Sequence, residues 1–343
     1  MPDLDKLVRP NVLSLTPYSC ARDEFHGKGG IFLDANENPF GTLNRYPDPY
    51  QKDLKNVISS IKKIPAGNIF LGNGSDEIID LCFRIFCIPG TDKALTFTPT
   101  YGMYEVSAAV NDVRIIKLPL NRNFLIDFNT VKPLLSDKNL KLILICSPNN
   151  PTGNCMNRDV LEKILSEFKG IVLIDEAYID FAEKPSFKNE IGHYPNLIVM
   201  QTFSKAYGMA SVRVGMAFTN SGIITYFNKM KPPYNISTVN QKTVLRNLKD
   251  QNRFKEQVSK IKAERTRLAE ILNKMPFIEQ VFPSDANFLL VKVNDAGKIY
   301  NFLIEMGIVV RNRSSVINNC LRITVGTKTE NNKLLSALKR IKI

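Results

Sequence analysis

The chain has 343 residues, of which 44% are hydrophobic, as in an ordinary globular protein, and its length suggests about two domains packed together. No apolar run reaches the roughly 18 residues of a membrane span, and the N-terminus lacks the basic and apolar runs of a signal peptide, so we expect a cytoplasmic protein without a membrane partner. The formal charge of +13 would suit nucleic acid, but the lysines are spread without a block of like charges, so anionic small substrates fit it equally well.

The first thirty residues show little periodicity, and we interpret residues 1–30 as an arm that packs elsewhere, for example on a partner subunit. Between about residues 70 and 220, short apolar runs alternate with helical patterns, as in a largely parallel sheet covered by helices. The runs are continuously apolar, which is typical of strands buried on both faces. The predicted strands are Lys141 to Cys146, Ile171 to Asp175, Leu197 to Gln201 and Val212 to Phe218.

Helical patterns lie between and after these strands. Ser75 to Phe86 has one apolar face, and Asp159 to Phe168 follows Asn157, which we expect to cap it. A charged helical stretch from Asn240 to Met275 is expected to cross between two domains. Beyond it, a smaller unit has predicted strands Asn287 to Val293 and Leu321 to Val325 and helices near Lys298 to Met306 and Glu330 to Ile341. The predicted fold is α/β, with a large domain of residues 31–240 containing a mainly parallel sheet and a small α/β domain of residues 241–343.

The most informative run is TFSKAYGMASVRVG, residues 202–215, which directly follows a predicted strand. It places Lys205 among small residues at the carboxyl end of that strand, where open α/β sheets bind ligands. A lysine there can form a Schiff base with an aldehyde cofactor if it is held neutral and shielded, and Ser204 and Arg213 suit a phosphate. Most lysines are solvated surface residues, so only the neighbouring motifs favour the functional interpretation.

Asp175 closes the predicted strand IVLID and begins the run DEAY, which ends at Tyr178. A carboxylate in this place can pair with the pyridine nitrogen of a cofactor and keep the ring protonated. Tyr178 could then donate to the phenolic oxygen of the same ring. The alternative is an aspartate that forms a turn or caps a helix, and we would prefer it if DEAY stood alone.

Three further turns contain residues that suit the same cofactor, and SPNNPTG is expected at the same sheet edge as Asp175 and Lys205. SPNNPTG, residues 147–153, follows a buried strand and could direct the amide of Asn150 toward the phenolic oxygen. LGNGSDE, residues 71–77, puts two glycines before a helix whose exposed amides would form an anion site. Tyr101, in the turn PTYGMY, is placed to stack on an aromatic ring. Each also has a structural interpretation, as a tight turn, a common glycine-rich helix start or a buried tyrosine.

Six cysteines are scattered without a CxxC pair, and the chain has only two histidines, so a zinc site would be difficult to assemble. We expect no metal. The cysteines are predicted to be reduced and mostly buried thiols: Cys20, Cys82, Cys87, Cys146, Cys155 and Cys320.

Together, these runs resemble the fold type I pyridoxal-phosphate aminotransferases and, within them, the histidinol-phosphate aminotransferases. The resemblance extends over nearly the whole chain, from LTPYSCAR at 15–22 through LDANENP at 33–39 and NRYPD at 44–48 to CLRITVGT at 320–327. SPNNPTG, DEAY and SKAYGMASVRVG indicate the cofactor chemistry, and the other motifs narrow the substrate class. The resemblance implies a homodimer that uses pyridoxal 5'-phosphate to transfer an amino group between histidinol phosphate and 2-oxoglutarate in histidine biosynthesis.

The resemblance also assigns roles to matching positions. Lys205, Asp175 and Tyr178 would be catalytic, with Asn150 beside Tyr178 on the phenolic oxygen and Tyr101 over the ring. The cofactor phosphate would be bound by Thr202, Ser204, Arg213 and the amides of Gly74, Ser75 and Asp76, with Tyr46 reaching across from the second subunit. The anionic groups of the substrates would be bound by Arg311, Arg322, Tyr18 and Asn36.

Three positions depart from the family pattern. Tyr207 stands where relatives often have Phe, Ser211 stands where Gly is usual, and the loop from Arg311 to Arg322 is short, which bears on substrate choice. Without the resemblance, both arginines could be solvated strand residues. The competing hypotheses are an aminotransferase for aromatic or other amino acids, a pyridoxal-phosphate-dependent decarboxylase of a phosphorylated amino acid, and a nucleic-acid-binding protein, which rests on the charge alone.

Overall fold

The computed structural model describes residues 4–18 and 30–341, and in this part of the chain two sheets form the framework. The larger sheet has seven strands in the order β1-β7-β6-β5-β4-β2-β3. Only β7 runs antiparallel to the others, so the predicted mainly parallel sheet is confirmed. Its strands are β1 (Ile69–Asn73), β2 (Lys93–Thr98), β3 (Arg114–Pro119), β4 (Leu140–Cys146), β5 (Ile171–Asp175), β6 (Leu197–Thr202) and β7 (Val214–Phe218).

The central strands are buried on both faces, which explains their continuously apolar sequences. Successive side chains point to opposite faces, so Ile143 and Ile145 join one hydrophobic core while Leu142 and Leu144 join the other. Strand β7 begins two residues later than predicted. The reason is a 3-10 turn over Ala210–Val212, after which Arg213 has a left-handed backbone with φ of 53°.

Helices cover both faces of the large sheet. Helix α3 has the predicted bounds and buries its predicted apolar face. Helix α6 begins directly after Asn157, but the side chain of Asn157 makes no capping hydrogen bond, so that part of the prediction was wrong. These helices are α1 (Pro10–Ser14), α2 (Lys52–Lys62), α3 (Ser75–Phe86), α4 (Met103–Val110), α5 (Phe128–Val131), α6 (Arg158–Glu167) and α7 (Ser221–Met230).

The long charged stretch after the two prolines forms two helices, α8 (Thr238–Leu248) and α9 (Gln251–Leu272), instead of the single predicted one. The break has a local cause, because the side chain of Asp250 accepts a hydrogen bond from the amide of Arg253 and starts a new helix. Helix α8 packs Val244 into the core of the large sheet. The far end of α9 packs into the core of the smaller unit.

The smaller unit contains a four-stranded antiparallel sheet in the order β10-β11-β9-β8. A hydrophobic cluster joins it to the large unit, with Tyr178 and Phe181 on one side and Val258 and Phe288 on the other. The remaining elements are β8 (Ile278–Val281), β9 (Phe288–Val293), α10 (Ala296–Glu305), β10 (Arg311–Asn312), β11 (Cys320–Thr324) and α11 (Lys328–Leu338).

The first described residues pack on the large unit of their own chain. Val8 and Val12 are buried in the same core as α3, and the amide of Arg9 donates to the carbonyl of Ile85. The five cysteines within the described ranges are free thiols, four of them buried, whereas Cys20 lies outside those ranges. In residues 4–18 and 30–341, no helix is long and apolar enough to cross a membrane, and no cluster of potential metal ligands occurs.

Candidate active site

The candidate active site lies where the parallel strands of the large sheet end. Cys146, at the end of β4, lies beside Asp175, at the end of β5, and β6 ends next to them. Because β7 runs the other way, its first residues lie at this same edge, which brings Arg213 to the strand ends. Open α/β sheets bind ligands at such an edge.

A cavity of about 460 Å³ opens at this edge and extends to the small sheet. It brings together most of the residues predicted from the sequence: Ser75, Asp76, Tyr101, Asn150, Asp175, Tyr178, Thr202, Ser204, Lys205, Arg213, Arg311 and Arg322. It also contains residues that sequence reasoning missed: Thr100, Gly102, Met103, Cys146, Ala177 and Arg313.

Asp175 is a buried carboxylate at the floor of the cavity. Its Oδ2 accepts a hydrogen bond of 2.8 Å from the hydroxyl of Tyr104, and its Oδ1 accepts one of 3.0 Å from the amide of Ala177. Burial raises the pKa of Asp175 to about 6, although these two donors act in the opposite direction. A carboxylate held in this way is stabilised by any cationic group that enters the cavity.

Lys205 lines the same cavity as Asp175 and is exposed to it. Its Nζ is 5.6 Å from the centre of the Tyr178 ring. Partial removal from water lowers the pKa of Lys205, and the positive charge of Arg322 lowers it further, while Asp175 opposes both effects. A lowered pKa increases the fraction of neutral amine, which is the nucleophilic form.

Asn150 links the small sheet to Tyr178. A guanidinium donates hydrogen bonds and accepts none, so its contact with Arg322 fixes Oδ1 of Asn150 toward the arginine. The amide nitrogen of Asn150 then faces the hydroxyl of Tyr178, at 3.4 Å. The hydroxyl of Tyr178 accepts this bond, so it can donate its own proton to another acceptor in the cavity.

The N-terminus of α3 and Arg213 form the opposite end of the cavity. Gly74 has φ of 77°, a left-handed backbone that favours glycine, and a Cβ there would lie 2.6 Å from Nη2 of Arg213, so any other residue would displace the guanidinium. The amide of Gly74 donates to the carbonyl of Arg213, and the next three amides, those of Ser75, Asp76 and Glu77, have no acceptor within the helix. Arg213 is 3.6 Å from the carboxylate of Asp76, and the amide of Ser204 donates to Oγ1 of Thr202.

Tyr104 is the clearest residue that sequence reasoning missed. Tyr101 donates to Asp76 at 3.1 Å, and its ring meets that of Tyr104 edge to face, with centroids 5.6 Å apart. The PTYGMY turn runs into helix α4, and residues three apart at a helix start share one side. That spacing could have identified Tyr104 as a neighbour of Tyr101, but nothing in the sequence indicated its bond to Asp175.

Arg311 and Arg322 lie directly opposite each other in strands β10 and β11. The short loop that joins them therefore brings Arg311 to the cavity. Arg313, two residues farther on, also lines the cavity, and alternation along the chain could have identified it from Arg311. Burial lowers the pKa of Arg322 and of Arg313.

Four predicted positions do not line the cavity. Tyr18 and Asn36 are exposed, and Tyr46, half exposed, stacks on Tyr234 with ring centroids 4.4 Å apart. Gly74 lies just behind the lining, as described above. Of the departures from the family, Tyr207 stacks on Phe254 at 4.1 Å outside the cavity, and Ser211 is exposed.

Comparison with known proteins identifies the family. The sequence model for aminotransferase class I and II matches residues 31–338. A histidinol-phosphate aminotransferase from Parabacteroides distasonis is 53% identical, with both chains covered in full. The crystal structure of the histidinol-phosphate aminotransferase from Clostridium acetobutylicum is 32% identical, with a TM-score of 0.80, and the match covers 87% of this chain and 90% of that one.

A third match supports the fold alone. The Sinorhizobium meliloti histidinol-phosphate aminotransferase, solved in complex with pyridoxal-5'-phosphate, is 24% identical with a TM-score of 0.79, over 89% of this chain and 88% of that one. The full-length match at 53% identity and the family model over most of the chain are decisive. The chain therefore belongs to the class I and II aminotransferases and, within them, to the histidinol-phosphate aminotransferases.

Proposed function

We propose that this chain is a cytoplasmic, pyridoxal-phosphate-dependent enzyme that transfers an amino group between histidinol phosphate and 2-oxoglutarate. The observation that carries the proposal is the meeting of Lys205 and Asp175 in one cavity. That cavity has an anion-binding helix start at one end and two opposed arginines at the other. A phosphate-bearing aromatic aldehyde and an anionic amino donor fit these two ends.

The residues present fit pyridoxal phosphate. The glycine at position 74 keeps the start of α3 open beside Arg213, and these amides and the guanidinium suit the cofactor's phosphate. Asp175 suits the pyridine nitrogen, since a buried carboxylate with a raised pKa gains most from a cationic partner. Tyr178 and Asn150 suit the phenolic oxygen, and Tyr101 suits the ring face.

When bound, the cofactor supplies an aldehyde that exchanges amino groups and a cationic ring that withdraws electrons from the carbon bearing the nitrogen. Lys205 holds the cofactor between turnovers and moves a proton from the substrate carbon once its amine is free. Its lowered pKa suits both tasks. Asp175 keeps the ring nitrogen protonated, and Tyr104 holds Asp175 in place.

Arg311 and Arg322 orient the substrates by their anionic groups. The proposed reaction requires one site to accept a phosphate monoester and then a dicarboxylate. Guanidinium groups bind either anion through paired hydrogen bonds and remain charged throughout. The contact between Arg322 and Asn150 also links the substrate end of the cavity to Tyr178, so a bound anion would be positioned relative to the cofactor ring.

The test is a visible spectrum of the purified protein, followed by addition of single donors. We expect a cofactor band that shifts on adding histidinol phosphate and returns on adding 2-oxoglutarate, because each half-reaction changes the state of the cofactor. A response restricted to aromatic amino acids would favour the other aminotransferases. Release of carbon dioxide without amino transfer would favour a decarboxylase, and salt-sensitive binding to duplex DNA without a cofactor band would favour a nucleic-acid-binding protein.

We further propose that the enzyme is a homodimer and that residues 30–48 lie in its interface. This segment has no helix or strand, yet it exposes large apolar side chains, with Ile31 at 91%, Leu33 at 89% and Phe40 at 81%. The segment is held in shape by the ion pair between Arg45 and Glu37, at 2.7 Å. An ordered apolar surface of this kind supports a protein partner, and a second copy would bring Tyr46 toward the cavity.

Hybrid dimers test this arrangement. Tyr46→Ala and Lys205→Ala chains should each be nearly inactive alone, but co-expressed chains should regain about a quarter of wild-type activity. Half of the randomly paired dimers are hybrids, and each hybrid has one site with both residues intact. The measurement is the specific activity of the mixture against that of each parent. No recovery from two inactive parents would mean that Tyr46 acts within its own subunit, and an active Tyr46→Ala parent would mean that Tyr46 has no role in activity.

A further inference from the structure

The hairpin formed by β10, β11 and the turn between them carries three arginines into the cavity. We call residues 311–322 the arginine hairpin. Arg311 and Arg322 face each other across its two strands. Arg313 stands at the beginning of the turn. The family resemblance assigns a role to the first two, and Arg313 is left without one.

The backbone at Arg313 is fixed by the turn itself. Its amide donates to the carbonyl of Cys320 at 2.8 Å, and its carbonyl accepts from the amides of Val316 and Ile317, both at 2.9 Å. The amide of Ser314 donates to the side chain of Asn312 at 2.9 Å. The Arg313 side chain therefore starts from a rigid base, which reduces the conformational freedom that a ligand would have to remove.

Buried donors on this hairpin are unsatisfied. The Nε atoms of Arg313 and Arg322 and the hydroxyl of Ser314 are all buried and have no hydrogen-bond partner. Buried polar atoms are nearly always paired in folded proteins, and charged donors are the most costly to leave unpaired. Three such atoms on one hairpin indicate an acceptor-rich ligand.

The charges of the hairpin also indicate an anionic ligand. Within the described ranges, no carboxylate lies within ion-pairing distance of Arg311, Arg313 or Arg322. The two carboxylates that line the cavity have other partners, since Asp76 faces Arg213 and Asp175 accepts from Tyr104. Burial lowers the pKa of Arg313, and its two arginine neighbours lower it further. A multiply charged anion would relieve this repulsion.

The two substrates of the proposed function differ in what they offer to this hairpin. A phosphate monoester has three terminal oxygens and a charge of about −1.5 to −2 near pH 7. A carboxylate has two oxygens and a single charge, which one or two guanidinium groups can satisfy. A third guanidinium therefore adds more to the binding of phosphate than to the binding of carboxylate.

We propose that Arg313 is a specificity-determining residue that binds a terminal phosphate oxygen of the phosphorylated substrate and leaves the dicarboxylate to Arg311 and Arg322. This inference rests on the proposed function and deepens it. Arg313 acts through a guanidinium that is carried by the rigid turn of the arginine hairpin. Arg311 and Arg322 bind both phosphate and carboxylate, so discrimination between the two anions depends on Arg313.

The test compares Arg313→Gln and Arg313→Lys holoenzymes with wild type. Titration calorimetry with inorganic phosphate and with glutarate measures anion binding without turnover, while the cofactor occupies its own phosphate site. We expect Arg313→Gln to weaken phosphate binding by about 10- to 100-fold and glutarate binding by less than about threefold, because a hydrogen bond to a charged group is lost only for phosphate. Arg313→Lys, which keeps the charge without the planar fork, should have an intermediate effect on phosphate.

Kinetics of the two half-reactions provide the second readout. We expect kcat/KM for histidinol phosphate to fall in Arg313→Gln by about the same factor as phosphate binding, with kcat/KM for 2-oxoglutarate nearly unchanged. Arg246→Gln, on the exposed side of α8, is the matched control and should match wild type in every assay. If Arg313→Gln does not fold, Arg313→Lys tests the proposal instead, through the ratio of its affinity for phosphate to its affinity for glutarate.

Equal weakening of phosphate and glutarate binding would overturn the proposal, because Arg313 would then be a general anion ligand. No weakening of either would overturn it as well. A wild-type enzyme that ignores histidinol phosphate would refute the proposed function, yet the ratio of phosphate to glutarate binding would still measure what Arg313 does. The two failures are therefore distinguishable.

Discussion

Lys205→Ala is expected to lower kcat for amino transfer by about 10⁴-fold or more, because the variant loses the covalent link to the cofactor and the proton carrier together. Among the described residues that line the cavity, Lys205 is the lysine, its pKa is lowered, and the charge of Asp175 acts on it. The measurement is single-turnover absorbance after histidinol phosphate is added to cofactor-loaded protein. The wild-type band shifts, and the variant band should not.

Borohydride supplies the control for this prediction. Reduction should attach the cofactor to Lys205 in the wild-type protein, as seen by mass spectrometry of the peptide, and leave the variant unlabelled. Lys255→Ala, on the exposed surface of α9, should keep wild-type activity and labelling. A full spectral response in Lys205→Ala would refute the assigned role.

Asp175→Asn is expected to lower kcat by about 10³-fold, because a neutral amide cannot hold the ring nitrogen in its cationic state in a site with little water. Asparagine has nearly the same shape, and its side chain can still bond to Tyr104 and to the amide of Ala177. The loss should therefore appear in kcat, with substrate KM little changed. A wild-type kcat in Asp175→Asn would show that the carboxylate of Asp175 is not required for catalysis.

Stability against pH provides an independent check on Asp175 in the cofactor-free protein. Burial raises its pKa from 3.8 to about 6, so the folded state binds this proton more tightly than the unfolded chain does. The stability due to that proton is complete below about pH 3.8 and is lost as the pH rises through about 6. Asp175→Asn has no such proton, so its free energy of unfolding should rise relative to wild type by up to about 3 kcal/mol between pH 4 and pH 7.

Urea unfolding of both cofactor-free proteins across this pH range measures the difference. A difference that does not change with pH would mean that Asp175 keeps an ordinary pKa in the folded state. A variant that gains stability above pH 6 while losing activity would support a role in chemistry, because a merely structural carboxylate would not couple the two in opposite directions.

Local sequence was sufficient to predict several elements of the site. The run IVLID forms a buried strand ending at Asp175, because five consecutive residues with buried side chains suit a strand covered on both faces. SPNNPTG predicted a turn at the sheet edge and LGNGSDE a glycine-rich helix start, since Pro, Asn and Gly restrict or free the backbone locally. Lys205, Asp175, Asn150 and Tyr101 could therefore be named before any contact was known.

Other features depend on contacts between distant parts of the chain. Arg213 reaches the cavity because β7 inserts antiparallel between β1 and β6, a pairing that no local pattern encodes. Tyr104 bonds to Asp175 across 71 residues of sequence. Arg322 meets Asn150 across 172 residues, so the link between the small sheet and the cofactor residues also lies beyond local inference.

The sequence by itself determined the class of fold and the strand ends and turns that carry the site, because strand burial and turn chemistry are local properties of the chain. The resemblance of its motifs then implied which residues bind the cofactor. Only the tertiary structure decided that the amide of Gly74 is already paired with Arg213, that Arg313 joins the two expected arginines, and that Tyr18 and Tyr46 lie outside the cavity of their own chain. Those facts depend on strand order, register and the packing of two units, which arise from long-range contacts that no short stretch of sequence specifies.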